Sequence, residues 1–283
     1  GSTTTGIDAQ LTSAITIAGT ITQGGSPFVG VSMNGLPDVV ITDASGTYTA
    51  TVPSGWSGMV TPTLAGYTFN PASRAYTNVA ANQASQDYAA TAAIPPAIDL
   101  NHSRLNFGKA GAAVTSAQRV LIRNTGGGTL AWTATASHPW IVLDKTSGSG
   151  NGSLQVAVNA TGLGNGTYTG TITVADPAAG NSPQTVAVSL VVKAKGGVPS
   201  GLIETPSDGA SGVTGSIAVT GWAVDDVEVT AVKLYRNPLA GEGTAPVYLG
   251  DACLVEGARP DVESLYATTP FCYRAGWGYM LLT

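Results

Sequence analysis

The chain has 283 residues, of which 10% are charged, 43% are hydrophobic and 37 are glycine, and its formal net charge is −5. That apolar fraction is enough to build cores and excludes a disordered chain, while the acidic balance excludes a nucleic-acid binder, which needs clustered Lys and Arg. No apolar run approaches the ~18 residues of a membrane helix, so no membrane insertion is expected. Two histidines and two cysteines leave few of the groups that converge in an enzyme site.

Residues 1–12 lack the basic start and apolar core of a secretory signal peptide, so a mature or internal piece is expected. Beyond them the hydrophobic period is two. Ile15–Thr22, Thr47–Val52, Leu154–Val158, Gly170–Val174 and Gln184–Leu190 alternate apolar and polar residues and are rich in β-branched side chains. Such runs read as half-buried strands. Asp43–Gly46, Ser147–Gly152 and Gly164–Gly166 separate them with Gly and Asn, the residues that tolerate positive φ in tight turns. No convincing amphipathic helix is present. Two Pro-containing stretches, Ala93–Ala97 and Lys195–Ser200, read as short linkers, because proline restricts both its own φ and the residue before it. They divide the chain into blocks 13–91, 97–194 and 201–283. The expected fold class is all-β: three tandem immunoglobulin-like or prealbumin-like β-sandwiches joined by short linkers.

The first block carries Ile17-Ala18-Gly19-Thr20-Ile21, Pro27-Phe28-Val29-Gly30-Val31, Thr42–Tyr48 and then Ala65–Pro71. In that order it resembles the carboxypeptidase-regulatory-like and Cna-B-like modules of secreted bacterial proteins, which implies a prealbumin-like sandwich. The Lys–Asn isopeptide cross-link of some Cna-B-like modules is excluded. Lys109, Lys145, Lys193, Lys195 and Lys233 all lie outside the block. The second block carries His138-Pro139-Trp140-Ile141-Val142-Leu143, Gly162–Val174 and a strand ending Leu190-Val191-Val192. It is similar to the BACON family of immunoglobulin-like domains, for which carbohydrate binding has been suggested. The third block, with Gly215–Asp226, Val232–Arg236, Gly257–Glu263 and Arg274–Thr283, resembles an immunoglobulin-like module of large bacterial surface proteins. In such modules the chain runs on past the equivalent of Leu282-Thr283. Two readings therefore stand: a stretch of a longer protein, or a sandwich completed by another chain through Leu281 and Leu282.

Candidate sites follow from the few informative side chains. Cys253 and Cys272 have no CxxC or histidine neighbours. They are either buried thiols or a disulfide, and the extracellular character favours the disulfide, worth on the order of 3 kcal/mol. A sugar site would use exposed aromatics: Trp56, Tyr67, Phe69 and Tyr76 in the first block, Trp132 and Trp140 in the second. The alternative for each is a core ring, favoured for Trp132, Trp140 and Trp222. Trp56, Tyr67 and Tyr76 remain the candidates for carbohydrate. Asp225, Asp226 and Glu228, or Asp251, Glu256, Asp261 and Glu263, lack the spacing of an EF-hand loop and read as solvated turns, so no metal site is assigned. Arg259, Asp261 and Glu263 concentrate charge in a sparsely charged chain, as an interface patch or as an ion pair bracing a loop. His102 and His138 have no partner placed by a motif. GxSxG, HExxH, CxxC and the P-loop are all absent from the sequence, and no catalytic residue or cofactor is assigned.

These readings converge on a non-catalytic extracellular scaffold, part of a bacterial surface protein or fibre, secreted or displayed on the cell surface. Its expected partners are other protein chains, including copies of itself through β-strand addition, or surface polysaccharide. The alternative is a carbohydrate-binding accessory region of a secreted carbohydrate-active enzyme or peptidase.

Overall fold

The computed structural model describes residues 14–212 and 214–282. Ser13 and Thr283, which the first and last blocks include, lie outside that range. Among the described residues the regular secondary structure is almost wholly strand, with one helix, Pro260–Leu265, and one 3-10 turn, Cys272–Arg274. The described residues form two compact units, divided in the sequence between Pro95 and Pro96.

In the first unit the period-two pattern becomes burial. Along Ala14–Gln23 the residues Ile15, Ile17 and Ile21 point inward and are buried. That strand pairs antiparallel with Thr47–Pro53 and parallel with Tyr88–Ala92, and the sheet is completed by Ser26–Pro27 and Tyr67–Asn70. A second sheet runs Ser32–Asn34, Trp56–Thr63, Arg74–Val79. Gly19 is required by proximity: a Cβ there would land on the backbone of Gln86. The core holds three tyrosines, Tyr48, Tyr76 and Tyr88. Two of their hydroxyls donate to Gln86, Tyr48 to its carbonyl at 2.7 Å and Tyr76 to its Oε1 at 3.0 Å. Burial pushes the phenol of Tyr88 up to about 12 and raises those of Tyr48 and Tyr76.

The second unit begins with two facing sheets over residues 97–193. One runs Ala113–Val114, Arg104–Ala110, Gln184–Lys193, Gly166–Ala175, Ala131–Ala136, Ser147–Ser149, and the other Ile141–Leu143, Gly152–Val158, Gln118–Asn124, Ile98–Leu100. Between them lies the largest core of the molecule, with Leu105, Phe107, Trp132, Leu154, Ile172 and Leu190 fully buried. Gly148 and Gly152 flank the Trp132 indole so closely that a Cβ at either would collide with it. This explains the Gly-rich Ser147–Gly152 run by packing as well as by turn chemistry.

The rest of the unit is a single path of five strands: Ser200–Thr205, Ser216–Val224, Gly276–Leu282, Val247–Val255, Val232–Arg236. Its core is small, built on Val219, Leu234 and Trp277. The helix Pro260–Leu265 packs a second cluster of Val224, Val262 and Ala275 with Trp222 and Tyr266. The closing apolar run lies inside this sheet. Gly276–Leu282 is its central strand, paired with Ser216–Val224 on one side and, through Gly276–Gly278, with Cys253–Val255 on the other. Leu281 packs on the core, whereas Leu282 is exposed. The outer strands are Ser200–Thr205 and Val232–Arg236 instead.

Candidate functional site

A constellation of polar side chains within the second unit lies where the 97–193 sandwich meets the 200–282 sheet. The strand Arg104–Ala110 and the turn after it present one side of this seam. Gly108 has no side chain because the backbone of Asp226 occupies the space a Cβ would need. That close approach lets the buried Thr115 hydroxyl donate to the Val227 carbonyl at 2.7 Å while accepting the Gly108 amide at 2.7 Å. Next to it the Ser116 amide donates to Glu228 Oε2 at 3.0 Å. The loop that presents these acceptors is itself shaped by Asp225, whose Oδ1 accepts the amides of Val227 and Glu228.

Two ion pairs flank the contact. Asp226 Oδ2 accepts from Gly197 N and from Lys193 Nζ, both at 3.0 Å. The Gly197 amide, then Lys193, hold its carboxyl below the usual carboxylate value. The Lys195–Ser200 linker is thereby tied to the seam. On the other side Arg274 donates to Glu228 Oε1 at 2.6 Å, and its guanidinium lies 3.7 Å from the centre of the Phe271 ring. Charge-assisted bonding and stacking on an aromatic face both suit arginine. Phe271 holds φ at 53°, a left-handed conformation that costs a bulky residue on the order of 1–3 kcal/mol. The ring and salt bridge around it fix that turn.

Between the two bodies a cavity of about 290 Å³ is lined by His102, Arg104, Asn106, Glu263, Cys272 and Tyr273, among others. Asn106, itself buried, donates to the Ala267 carbonyl at 2.9 Å, and Arg104 donates to the same oxygen at 3.3 Å. His102 lies against Tyr273 with ring centres 4.2 Å apart and planes tilted by 38°. Seam and cavity together join two bodies by hydrogen bonds, ion pairs and ring contacts of defined geometry, which is what a stiff joint needs.

The sequence candidates fall in several places. The disulfide is corrected: Cys253 and Cys272 are free thiols. Cys253 faces solvent opposite Gly278, whereas Cys272 is drawn into the seam and buried. That burial pushes its thiol above the ordinary range. Arg259 pairs bidentately with Asp261 through Nε at 2.9 Å and Nη2 at 2.6 Å, and its third nitrogen reaches Glu204. The group braces the long loop, and Glu263 turns to the cavity instead. Of the acidic residues weighed for calcium, Asp225, Asp226 and Glu228 serve the seam. Among the described residues no His, Cys, Asp or Glu cluster could hold a metal ion.

Tyr76, with 9% of its surface exposed, is a core ring and offers no free face to a pyranose. Trp56 is half-buried, 5.8 Å from Tyr76 and lying over Gly58. Tyr67 is half-buried against Phe28 at 4.7 Å and lines a shallow groove with Pro62, Leu64 and Phe69. Trp132 and Trp140 are core residues. His138 lies exposed beside Ser137 and stacks on Trp140. Sequence reasoning missed Gly108, Thr115 and Arg274. A glycine inside an otherwise alternating strand was the one available signal.

Residues 97–193 match the family described as the viral BACON domain. No curated protein matches the chain in sequence. Among solved structures it is similar to a Bacteroides ovatus GH5 xyloglucanase in complex with a XXXG heptasaccharide, at 22% identity and a TM-score of 0.28, covering 34% of this chain and 19% of that chain. It is also similar to the major pilin subunit BcpA* of Bacillus cereus, at 8% identity and a TM-score of 0.29, covering 84% of this chain and 95% of that one. A DUF3823 family protein from Bacteroides ovatus matches at 12% identity and a TM-score of 0.24, covering 62% and 98%. The chain thus spans under a fifth of the xyloglucanase, 19%. Among the described residues no helix is long and apolar enough to cross a membrane.

Proposed function

We propose that this chain is a non-catalytic structural element on the outside of a cell or of a virus particle, built from β-sheet modules that transmit position and load. The observation that carries this reading is the seam. Two bodies of the second unit are held by a linker tied at Gly197, a glycine kept for close approach at Gly108, and a stacked ion pair at Arg274. Flexible tethering would need none of these. Side chains there hold backbone and one another, and His138, the exposed imidazole, is hydrogen-bonded to its neighbour Ser137. Longer assemblies would form by strand addition at Ser200–Thr205, an outer strand whose six residues are all exposed. Antibody raised against the chain should label intact cells or particles of the source. Labelling only after permeabilisation would overturn the reading.

The groove of Tyr67, Phe69, Leu64 and Pro62 supports a second reading, a carbohydrate-binding accessory region. Binding on a glycan array that disappears in Tyr67→Ala would favour it. An array without signal would remove it.

A further inference from the structure

His102 belongs to the 97–193 sandwich, but the neighbouring sheet module closes over it. Its side chain is 10% exposed, its ring lies tilted against Tyr273, and Nε2 lies 3.4 Å from Oε1 of Glu256, a carboxylate that is itself 60% exposed. The charged and titratable groups that face it come from three segments of that module. Glu256 follows the strand Val247–Val255, Glu263 belongs to the helix, and Tyr273 with the buried Cys272 belongs to the 3-10 turn. Arg104, two residues along its own chain, lines the same cavity.

We propose that the seam is an acid-sensitive latch whose sensor is His102: protonation of the enclosed imidazole releases the segment 256–274 from the sandwich. The inference concerns the joint and holds whether or not the chain is a surface scaffold. An imidazolium in this position would lose its water and keep one solvent-screened carboxylate partner. Burial accordingly lowers the proton affinity of His102, with Glu256 and Glu263 opposing.

The sign follows by linkage. The ring binds a proton more readily when the seam is open, so acid favours opening. The contribution of neutral His102 is complete well above the free imidazole value of 6.5 and is lost as pH falls through it. With the open form titrating near 6.5, the opening constant rises by at most about tenfold between pH 7.5 and pH 5.5. Asp226 acts in the same direction, but its lowered carboxyl confines it to below its ordinary value of 3.8. Cys272 and Tyr273, both raised by burial, stay protonated throughout.

Cys272 supplies the readout, because its thiol lines the cavity and reacts only when the seam opens. In the full chain carrying Cys253→Ser, Cys272 labelling by 4,4′-dithiodipyridine is measured from pH 7.5 to 5.5. Each rate is divided by that of an unstructured peptide of residues 268–276 at the same pH, which removes thiolate and reagent effects. The expected result is a normalised rate rising several-fold, up to about tenfold, toward pH 5.5. The rise should be absent in His102→Gln and His102→Phe and retained in His138→Gln. A flat wild-type profile overturns the proposal, as does an equal rise in either His102 variant. If both His102 variants fail to fold, the imidazole carbon-proton NMR signals decide. His102 titrating at or above the ordinary value of 6.5 overturns the latch, and titration below it, beside a labelling rate that rises toward pH 5.5, supports it.

Discussion

Replacing Gly108 by alanine asks whether the seam is held by close backbone approach. The added methyl would overlap the Asp226 carbonyl, far inside van der Waals contact, and lie 3.3 Å from the Val227 Cα. Both are backbone, so no flexible side chain can yield and the loop 225–228 must move away. That loop carries the acceptors for Thr115 at 2.7 Å and for the Ser116 amide at 3.0 Å. The first bond is worth about 1 kcal/mol and the second, to a carboxylate, about 1.5–3 kcal/mol. Overpacking of this kind costs about 1–3 kcal/mol. A mid-range value of about 2 kcal/mol corresponds to about a 30-fold larger opening constant. Cys272 labelling at pH 7.5, in the Cys253→Ser background, should accelerate by about that factor. Gly164→Ala is the control, because a methyl there meets nothing within 4 Å and should change stability by less than about 0.5 kcal/mol. Labelling of Gly108→Ala at the parent rate would refute the reasoning.

Other consequences are as direct. Trp132→Ala should cost the second unit about 3–5 kcal/mol in denaturant unfolding. A loss below about 1 kcal/mol would mean the ring is not the plug of that core. Native chain purified without reductant should take up one thiol label, at Cys253, and two after denaturation. A mass 2 Da lower with neither site reactive, on the order expected for a bridge, would restore the disulfide. The first unit should be alkali-sensitive. Unfolded tyrosine ionises near 10, whereas Tyr88 is held up to about 12 and Tyr48 is raised further. Their contribution is therefore complete below pH 10 and is lost as pH climbs from there through about 12. Tyrosinate absorbance should appear together with loss of near-UV circular dichroism. Tyrosinate appearing near pH 10 with the fold intact would contradict the buried cluster.

Much of the fold was legible because it rests on a local signal. Alternation in Ile15–Thr22 and Gln184–Leu190 specifies one buried face per strand, and each strand in the structure buries that face. The aromatic plugs Trp132 and Trp140 could be read the same way. What could not be read was anything depending on where two distant segments meet. The Asp225-Asp226-Glu228 run is equally compatible with calcium, solvent or a seam, and only the arrival of Lys193, Ser116 and Arg274 decides among them. The cysteine pair failed for the same reason: an extracellular character does not fix where two side chains point. The place of the last apolar run in its sheet was not legible either: Gly276–Leu282 takes the middle because Ser216–Val224 and Cys253–Val255 both reach it. Tyr76 alternates as either face of a strand could, and its hydroxyl bond to Gln86 marks the inner one.

The central claim, that the seam holds two bodies of the second unit in one geometry, is tested most directly by a distance measurement across it. Spin labels on Cys253 and on Val142→Cys, both exposed positions on the two bodies, can be read by double electron–electron resonance in the full chain at neutral pH. The account predicts a single narrow distance distribution, set by label rotamers alone, that broadens in Gly108→Ala. A distribution already broad or multimodal in the parent chain would contradict a locked joint.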